Sequence, residues 1–505
     1  MLTQTKELFR KYTVDPAEFD RIVDFDTVTE MWEHCLAAYA DRPAIADNGR
    51  EYTFRELEND AAGFRTLLGA PEQGTRVAIF AANSYDFVKA YLAVVTSGCT
   101  AAIFPAHLDA TAAFGCCMML GVRKLIYQTD FKEKLSLIRE RSHDIELIPV
   151  EALCEDKTPA AFCTGKTPCA IVFTGGTTGR SKGALLSNEA VMQGTVNGCY
   201  GTPTVFFQRY LLILPLSHVF GLIRNLMTSL YTGSCMFICR SNKDMFRDIA
   251  VFRPTILVMV PALAEMALTL SKKFGRNMLG DDLKVIICGA APVSPYLISA
   301  YDKIGVKLLP GYGLTESANL VSGNPENLSK PESVGLPFPN QELRIEKGEL
   351  WLKGRNMMNG YVGVDEPDAY EDGWFKTGDL VRMDEDGYLY ITGRIKEIIV
   401  LQSGENVSPA EVETAFNALP FVQDTQVFET ENELGAQILA LEVVLRPTEL
   451  TDMEPEQRKQ YALEELKKVN LTLPQFQQVS RITIRDTDFE RSPAMKIVRY
   501  HHDKK

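Results

Sequence analysis

Short runs of apolar residues alternate with longer segments of helical composition between residues 52 and 285 of this chain. Runs of this length, bounded by polar and turn-forming residues, are typical of buried strands, whereas a stretch such as residues 85 to 95 predicts a helix. This alternation indicates parallel sheets that are covered by helices. The predicted strands are RVAIF, CTAAIFP, KLIYQ, CAIVFT, LLILPL, ILVMV and KVIIC.

The pattern changes after residue 311, where closely spaced strand-like segments are separated by glycine-rich turns. The segments are GELWLKG, EDGWFKTGDL and VRMDEDGYLYITG. Asp386-Gly387 predicts a hairpin turn within the last of them. We therefore expect a β-rich subdomain after the α/β part.

The chain beyond residue 394 has a higher charge density and predicts two helices. One begins at Pro409, where Ser408 and Glu411 have the spacing of a capping box. The other covers about residues 456 to 469, and its apolar face contains Tyr461, Leu466 and Val469. The expected fold class is thus α/β: a large N-terminal domain of parallel-sheet α/β subdomains plus a β-rich subdomain, followed by a small, mobile α+β C-terminal domain.

Length and charge narrow the class of protein. At 505 residues the chain exceeds what one hydrophobic core supports. Its 53 Lys and Arg residues against 66 Asp and Glu residues give a net charge of −13, the wrong sign for binding nucleic acid. The 11 cysteines contain no CxxC pair and are expected to be reduced thiols of a cytoplasmic protein, without a metal–thiolate site.

No transmembrane segment is expected either. The most apolar stretch, LLILPLSHVFGL, is interrupted by Pro215, Ser217 and His218. It therefore falls short of the ~20 residues that cross a membrane. The first residues of the chain also lack the apolar stretch of an export signal.

The strongest local motif is AIVFTGGTTGRSKGALL, residues 170 to 186. Its glycines allow backbone N–H groups to converge on an anion, Thr174, Thr177 and Thr178 add hydroxyl donors, and Lys182 adds a positive charge. It is not a Walker A motif, because Lys182 is followed by glycine and then by an apolar run that predicts a strand. Both a phosphate-binding loop and a plain hairpin tip fit these residues.

Two further motifs carry polar groups that suit a nucleotide. In GYGLTES, residues 311 to 317, Tyr312 offers a flat ring, while Thr315 and Glu316 offer a hydroxyl and a hard carboxylate. In GWFKTGDL and GRIKEI, Asp379 could accept hydrogen bonds from a ribose and Arg394 could bind ribose or phosphate oxygens. Taken singly, each motif is equally compatible with an ordinary turn or strand end.

The order of the motifs is more specific than any one of them. A TGGTTGxxKG loop, GYGLTE, TGDL, GRxKExI and a C-terminal Lys-Ile follow one another over residues 30 to 500. In this order the chain resembles the adenylate-forming superfamily, which includes acyl-CoA synthetases, aryl-CoA ligases, peptide-synthetase adenylation domains and firefly luciferase. The TGGTTG form, with Gly175, looks most like long-chain fatty acyl-CoA ligases.

The resemblance implies an ATP site assembled from distant segments. The residues that would close over the β- and γ-phosphates are Thr174, Gly175, Gly176, Thr177, Thr178, Gly179 and Lys182. Those that would line the adenine slot are Gly289, Ala290, Ala291 and Tyr312. By the same resemblance Thr315 contacts the α-phosphate, Glu316 binds Mg²⁺, Asp379 holds both ribose hydroxyls and Arg394 is its neighbour across the sugar.

The C-terminal FERSPAMKIVRY is similar to a family motif whose lysine assists adenylation, which here is Lys496. Met495 replaces the glycine that usually precedes this lysine. From composition alone, Lys496 could equally be a solvated surface lysine. The resemblance further implies an adenylation domain at residues 1–393, a hinge at 394–396 centred on Lys396, and a lid domain at 397–505 that rotates to bring the loop around Gly404 beside the thiol of CoA.

The acid substrate is the least defined part of this prediction. His218 occupies the position where the family places an aromatic residue or histidine at the mouth of the acid pocket, although a buried structural histidine is the alternative. The surrounding residues are apolar and suit a medium- or long-chain fatty acid. If Arg224 faces the pocket, a second carboxylate on the substrate is indicated.

The expected function is an acid–thiol ligase that uses ATP, Mg²⁺ and CoA. One alternative keeps the adenylation and loads the phosphopantetheine of a separate carrier protein. Another is a non-catalytic paralogue that binds nucleotide or acyl chains.

Overall fold

The structure is a computed structural model that describes residues 17, 20–174, 182–200, 205–325, 330–364, 366–401, 405–432, 437–492 and 495–499. Two large sheets, a five-stranded antiparallel sheet and two small C-terminal sheets of two and three strands organise this part of the chain. The apolar runs predicted as strands all contribute strands to the two large sheets.

The first large sheet has seven strands within the described residues. Its strands are parallel except for the two at one edge, which pair antiparallel with their neighbours. In order across the sheet they are Tyr361–Val362, Lys182–Ser187, Pro168–Thr174, Thr100–Ile103, Arg76–Phe80, Lys124–Tyr127 and Glu146–Pro149.

The second large sheet has nine strands within the same described ranges. Its central strands are parallel, and both edges end in antiparallel pairs. In order they are Leu336–Pro337, Asn319–Gly323, Lys307–Leu314, Val285–Cys288, Ile256–Met259, Arg209–Leu212, Cys235–Ile238, Pro43–Asp47 and Arg50–Thr53.

Helices cover both sheets, as the alternating pattern predicts. The segment predicted at residues 85 to 95 forms the helix Tyr85–Thr96, whose first turn is capped by the Ser84 hydroxyl accepting from the Phe87 amide at 3.1 Å. A π-helix spans Phe220–Met227. The α-helices of this part are Val28–Tyr39, Phe54–Leu68, Tyr85–Thr96, Ala110–Leu120, Ser136–Arg141, Asn188–Asn197, Thr228–Tyr231, Met245–Phe252, Pro261–Phe274 and Pro295–Asp302.

The predicted β-rich subdomain is an antiparallel sheet. Its strands are Gln341–Glu346, Glu349–Gly354, Trp374–Met383, Tyr370–Glu371 and Leu389–Arg394. The Asp386-Gly387 turn is confirmed: the Gly387 amide donates to the Asp384 carbonyl at 3.0 Å, and Gly387 has φ +85°, a conformation that favours glycine.

The C-terminal part has a core of its own, formed by apolar side chains such as Val412, Phe416 and Leu441. Its strands are Ile399–Val400, Asn406–Val407, Val422–Glu431, Gln437–Leu445 and Arg481–Arg485, and its α-helices are Pro409–Asn417 and Pro455–Thr472. This is the small α+β domain that the sequence predicts.

Two local predictions in this domain are wrong. Ser408 precedes the helix Pro409–Asn417 but caps none of its amides, because its hydroxyl donates instead to the Thr392 carbonyl at 2.6 Å. Tyr461 is 38% exposed, whereas Leu466 is fully buried. The buried face of that helix includes Ala462 in place of Tyr461, because the tyrosine lies at the edge of the core against Phe421.

In the described ranges, none of the helices combines the length and the apolar character that crossing a membrane requires. All 11 cysteines are free thiols. Burial raises the pKa of the Cys35 thiol to about 12, so this side chain is protonated and unreactive.

Candidate functional site

The site lies at the carboxyl ends of two neighbouring parallel strands, Val285–Cys288 and Lys307–Leu314. Gly289 follows the first strand and packs closely on the second, since a Cβ atom at this position would lie 3.0 Å from the Gly311 carbonyl oxygen. Ala290 has φ +68°, a left-handed conformation that is strained for a residue other than glycine. Crevices at such strand ends are where open α/β sheets bind ligands.

A buried carboxylate is fixed beside Tyr312. Asp379, which is 1% exposed, is the cross-strand partner of Arg394, and the two side chains form an ion pair with Nε and Oδ1 2.7 Å apart. The Tyr312 hydroxyl donates to the other carboxylate oxygen at 2.5 Å. Burial raises the pKa of the Asp379 carboxyl, and the charge of Arg394 opposes that shift. A carboxylate has about four acceptor positions, so Asp379 can still accept hydrogen bonds from a ligand.

A second carboxylate, that of Glu316, lies in the short helical turn Thr315–Ser317 directly after the Tyr312 strand. The Tyr361 hydroxyl donates to Glu316 Oε1 at 2.6 Å. Tyr361 reaches this position because its strand pairs with the strand that begins at Lys182. One oxygen of the Glu316 carboxylate is thus bonded to a tyrosine whose strand is the neighbour of Lys182–Ser187.

Lys182 is attached to the same cluster. Its ammonium group forms an ion pair with Glu366 and lies 5.2 Å from the centre of the Tyr361 ring. Thr174 and Lys182 are register partners in the antiparallel pair of strands Pro168–Thr174 and Lys182–Ser187. The described part of the motif thus places a lysine beside Tyr361, whose hydroxyl bonds to Glu316.

The C-terminal Lys496 reaches this site from the other end of the chain. Although the residue is exposed, partial desolvation by the surrounding protein atoms, followed by the positive charge of Arg394, lowers the pKa of its ammonium group, while the carboxylates of Asp379 and Glu316 act to raise it. The lysine thus lies within electrostatic reach of both site carboxylates. Its neighbour Met495 packs against the large N-terminal core, with φ +61°.

Two arginines hold this tail in place. Arg499 donates to both carboxylate oxygens of the buried Glu413, at 2.8 and 2.7 Å, and Arg491 pairs with Asp424. Between them the chain turns tightly, because the Met495 amide donates to the Ser492 carbonyl at 2.7 Å. Bidentate arginine–carboxylate pairs fix geometry well, so the position of Lys496 is tied to the C-terminal domain.

Ion pairs also join this domain to the helices of the N-terminal part. The buried Arg446 pairs with Glu265 through two contacts of 2.6 and 3.1 Å, and its guanidinium lies 3.9 Å from the centre of the Tyr296 ring. Glu449 accepts hydrogen bonds from Lys272 at 2.5 Å and from the Tyr296 hydroxyl at 2.7 Å. These contacts stabilise the arrangement in which Lys496 lies in the site.

His218 lies on the same side of the cleft. Burial, the charge of Lys496 and the charge of His107 all lower the pKa of its imidazole, in that order. His218 is therefore neutral near pH 7 and can accept or donate a hydrogen bond close to Lys496.

Contacts join Tyr312, Asp379 and Arg394, and Tyr361 links Lys182 to Glu316. Lys496 interacts electrostatically with three of these groups, Glu316, Asp379 and Arg394, and with His218. Thr174, Gly289, Ala290, Ala291 and Thr315 are the other predicted site residues in the described ranges. Others lie outside the described residues, namely Gly175, Gly176, Thr177, Thr178, Gly179 and Gly404. Lys396 is exposed in the turn Ile395–Glu397, immediately after Arg394 and away from the cluster.

Sequence reasoning missed two residues that organise the cluster. Tyr361 orients Glu316, and Glu366 pairs with Lys182. Tyr361 lies within the segment GRNMMNGYVG, which carries no motif used in the sequence analysis, and Glu366 follows it. Only the pairing of the short strand Tyr361–Val362 with the hairpin strand reveals their place.

Comparisons with known proteins agree with this geometry. Residues 32–362 match the family model described as AMP-binding enzyme, and residues 396–505 match that of the AMP-binding enzyme C-terminal domain. A long-chain-fatty-acid–CoA ligase of Yersinia pestis is 28% identical over 517 aligned positions, which cover 89% of this chain and 91% of the relative. A 2-succinylbenzoate–CoA ligase of Bacillus velezensis is 27% identical over 421 positions, covering 78% of this chain and 83% of the relative.

A solved structure extends the likeness to the fold. The crystal structure of an anthranilate CoA ligase in complex with anthranoyl-AMP superposes with a TM-score of 0.83 at 20% identity, covering 95% of this chain and 97% of that chain. The predicted α/β architecture, with its smaller C-terminal domain, is confirmed by this match.

Proposed function

Because this chain belongs to the AMP-binding enzyme family, we propose that it is an acid–thiol ligase, which activates a carboxylic acid with ATP to an acyl adenylate and then transfers the acyl group to CoA. One observation carries this proposal. Lys496, from the end of the chain, lies in the same cleft as Glu316, Asp379 and Arg394. Lys496 is exposed, but its ammonium group interacts with the Arg394 guanidinium and with the carboxylates of Asp379 and Glu316, which an isolated surface lysine would not do.

In the first step, an oxygen of the carboxylate attacks the α-phosphorus of ATP. The bond from this phosphorus to the bridging oxygen breaks, and its electron pair leaves with pyrophosphate. The attack brings two anions together, so the Lys496 ammonium stabilises the transition state by interacting with both. Asp379 accepts hydrogen bonds from the ribose hydroxyls. Tyr312 and residues 289–291 hold the adenine, and Thr315 and Lys182 contact the phosphates.

The residues present also fit a magnesium ion. Mg²⁺ is bound by one or two carboxylates together with phosphate oxygens and water. Glu316 supplies one carboxylate, whose Oε1 is fixed by Tyr361. No group of three or more His, Cys, Asp or Glu side chains forms a metal cage in the described ranges, which suits an ion that arrives with its nucleotide. When bound, the ion would neutralise charge on the triphosphate.

In the second step, the thiolate of CoA attacks the acyl carbon and AMP leaves with the electron pair of the anhydride bond. We propose that the C-terminal domain first rotates about Lys396, which withdraws Lys496 and moves the loop at Gly404 towards the thiol. The turn Ile395–Glu397 supports this choice of hinge, because none of its residues is buried, although Glu397 pairs with Arg499 at 3.3 Å. A medium- or long-chain fatty acid as the substrate remains a prediction.

Both half-reactions can be measured on the purified chain. Acid-dependent exchange of labelled pyrophosphate into ATP reports adenylation, and mass spectrometry of acyl-CoA reports transfer. We expect both, across a panel of fatty, aryl and dicarboxylic acids. Exchange without acyl-CoA would assign a carrier protein as acceptor, and absence of exchange with every acid would identify a non-catalytic nucleotide- or acyl-binding protein.

A further inference from the structure

The guanidinium of Arg224 is buried without a partner. Its side chain is 1% exposed, and neither Nη1 nor Nη2 has a hydrogen-bond partner in the described part of the protein. Arginine cannot lose its charge in proteins, and an unpaired buried charge destabilises the folded state. A group of this kind calls for a partner that the chain itself does not supply.

Arg224 lies within the π-helix Phe220–Met227, which follows His218 by two residues. Helical segments of this kind are frequent at functional sites. Gly198 gives the side chain room, because a Cβ atom there would lie 3.1 Å from Arg224 Cδ. The Tyr210 hydroxyl is a polar neighbour: the charge of Arg224 and a contact with its guanidinium act to lower the pKa of that hydroxyl, against the larger raising effect of burial. That hydroxyl is neutral and does not balance the charge.

Arg224 borders a small cavity of about 20 Å³. Three other polar side chains line it: Tyr200, Asn197, whose amide donates to the Leu320 carbonyl at 3.1 Å, and Asn324, whose amide donates to the Ser333 carbonyl at 2.9 Å. The remaining walls are mainly apolar and include Ile287, Leu309 and Phe338. In the present arrangement the cavity has room for a group of roughly the size of a water molecule, so a carboxylate can reach Arg224 only if the side chains around the cavity move apart.

The cavity adjoins the site proposed for adenylation. Gly311 forms part of its wall, and the next residue along the strand is Tyr312, which bonds to Asp379. Phe220, at the start of the π-helix, contacts the Gly289 position at 3.5 Å. The strand Lys307–Leu314 thus borders the Arg224 cavity and carries Tyr312 of the adenylation site.

We propose that Arg224 binds a second carboxylate on the acid substrate, at the end remote from the carboxyl group that is adenylated. This inference rests on the proposed function. A guanidinium and a carboxylate match as a bidentate pair, and burial away from water strengthens that pair. The substrate class is thus a dicarboxylic acid with an apolar linear or aryl spacer, rather than a simple fatty acid.

Matched acids test the proposal through acid-dependent pyrophosphate exchange. The pairs are adipate with hexanoate, suberate with octanoate, and terephthalate with 4-methylbenzoate; within each pair only the second carboxylate differs. We expect the wild-type protein to favour the diacid in at least one pair by about tenfold or more in kcat/KM. Arg224→Met should remove or invert that preference, and Arg224→Lys should retain part of it.

A preference for the methyl-ended acid in every pair would overturn the inference while leaving the proposed function in place. If none of the acids supported pyrophosphate exchange, both this inference and the proposed function would be overturned. Thermal unfolding gives a second readout, because replacing an unpaired buried charge by Met should keep or raise the Tm. A lower Tm with an unchanged diacid preference would also overturn the inference. Arg224 would then have a structural role, with a water molecule and not the substrate as its partner.

Discussion

The Tyr361 hydroxyl donates a hydrogen bond of 2.6 Å to Glu316, 45 positions earlier in the chain. The same ring lies beside the ammonium group of Lys182. One tyrosine thus links the carboxylate proposed to hold magnesium to the lysine proposed to contact the triphosphate. Its hydroxyl is the part of the residue that orients the carboxylate.

Tyr361→Phe should weaken the binding of MgATP. The substitution removes the donor to Glu316 but keeps the ring next to Lys182. A hydrogen bond to a charged group contributes about 1.5–3 kcal/mol, so we expect KM for MgATP to rise by roughly tenfold or more, with little change in KM for the acid. Initial rates of pyrophosphate exchange at varied MgATP measure this.

Tyr370→Phe is the matched control. The Tyr370 hydroxyl donates at 3.1 Å to the Met358 backbone carbonyl, close to the same cluster but not to Glu316. This variant should keep the wild-type KM for MgATP. An equal rise in both variants would mean that Tyr361 acts through local packing.

Lys496 should give adenylation an alkaline limit. Partial desolvation and Arg394 lower the pKa of its ammonium group, and only the charged form can stabilise the attack on ATP. The value of kcat/KM for the acid should therefore be constant at neutral pH and fall as pH rises through this lowered pKa. Bound ATP adds negative charge, so the limit in kcat should lie at higher pH.

Two variants separate charge from geometry at this position. Lys496→Ala should lower the exchange rate on the order of two to three powers of ten. Lys496→Arg should lose the alkaline limit, because a guanidinium stays protonated, whatever its remaining rate. If the limit persists in the arginine variant, another group titrates.

The pair formed by Arg446 and Glu265 should set how readily adenylation begins. It joins the C-terminal domain to the helix Pro261–Phe274, with Nε and Oε1 2.6 Å apart. Glu265→Gln leaves the Arg446 charge unpaired in the docked arrangement, so the domain should dock less often. We expect exchange to slow severalfold, while transfer from supplied acyl adenylate to CoA stays at the wild-type rate or increases.

Glu442→Gln provides the control for this change. Glu442 pairs with Arg485 at 2.6 Å, an interaction of the same chemistry within the three-stranded C-terminal sheet. Its loss should leave the ratio of the two half-reactions unchanged. A similar shift in that ratio would indicate general destabilisation of the domain.

The sequence predicts the sheets well because their strands are buried on both faces, so each is a continuous apolar run. KVIIC, for example, forms the strand Val285–Cys288 in the middle of the nine-stranded sheet. Some residues of the proposed nucleotide site could also be read from motifs, since Gly289 directly follows the strand Val285–Cys288 and Tyr312 lies near the end of the strand Lys307–Leu314. These features depend on local composition.

The remaining features depend on contacts between distant segments. Tyr361 is recognisable only once its short strand is paired, and Ser408 fails as a cap because the Thr392 carbonyl competes for its hydroxyl. The backbone of Met495 could not be predicted for the same reason. It adopts φ +61°, a left-handed conformation that is not expected of a methionine. Packing of Met495 against the N-terminal core offsets the strain.

Lys396→Pro should separate the two half-reactions. Proline fixes φ near about −65°, which fits the helical turn Ile395–Glu397 in the present arrangement but would oppose the backbone rotation proposed at the hinge. Adenylation should stay within about threefold of wild type, whereas acyl-CoA formation should fall by an order of magnitude or more. Lys396→Ala removes the same side chain but leaves φ free, so it should support both steps. Equal losses in both steps of the proline variant, measured by exchange and by single-turnover transfer, would place the hinge elsewhere.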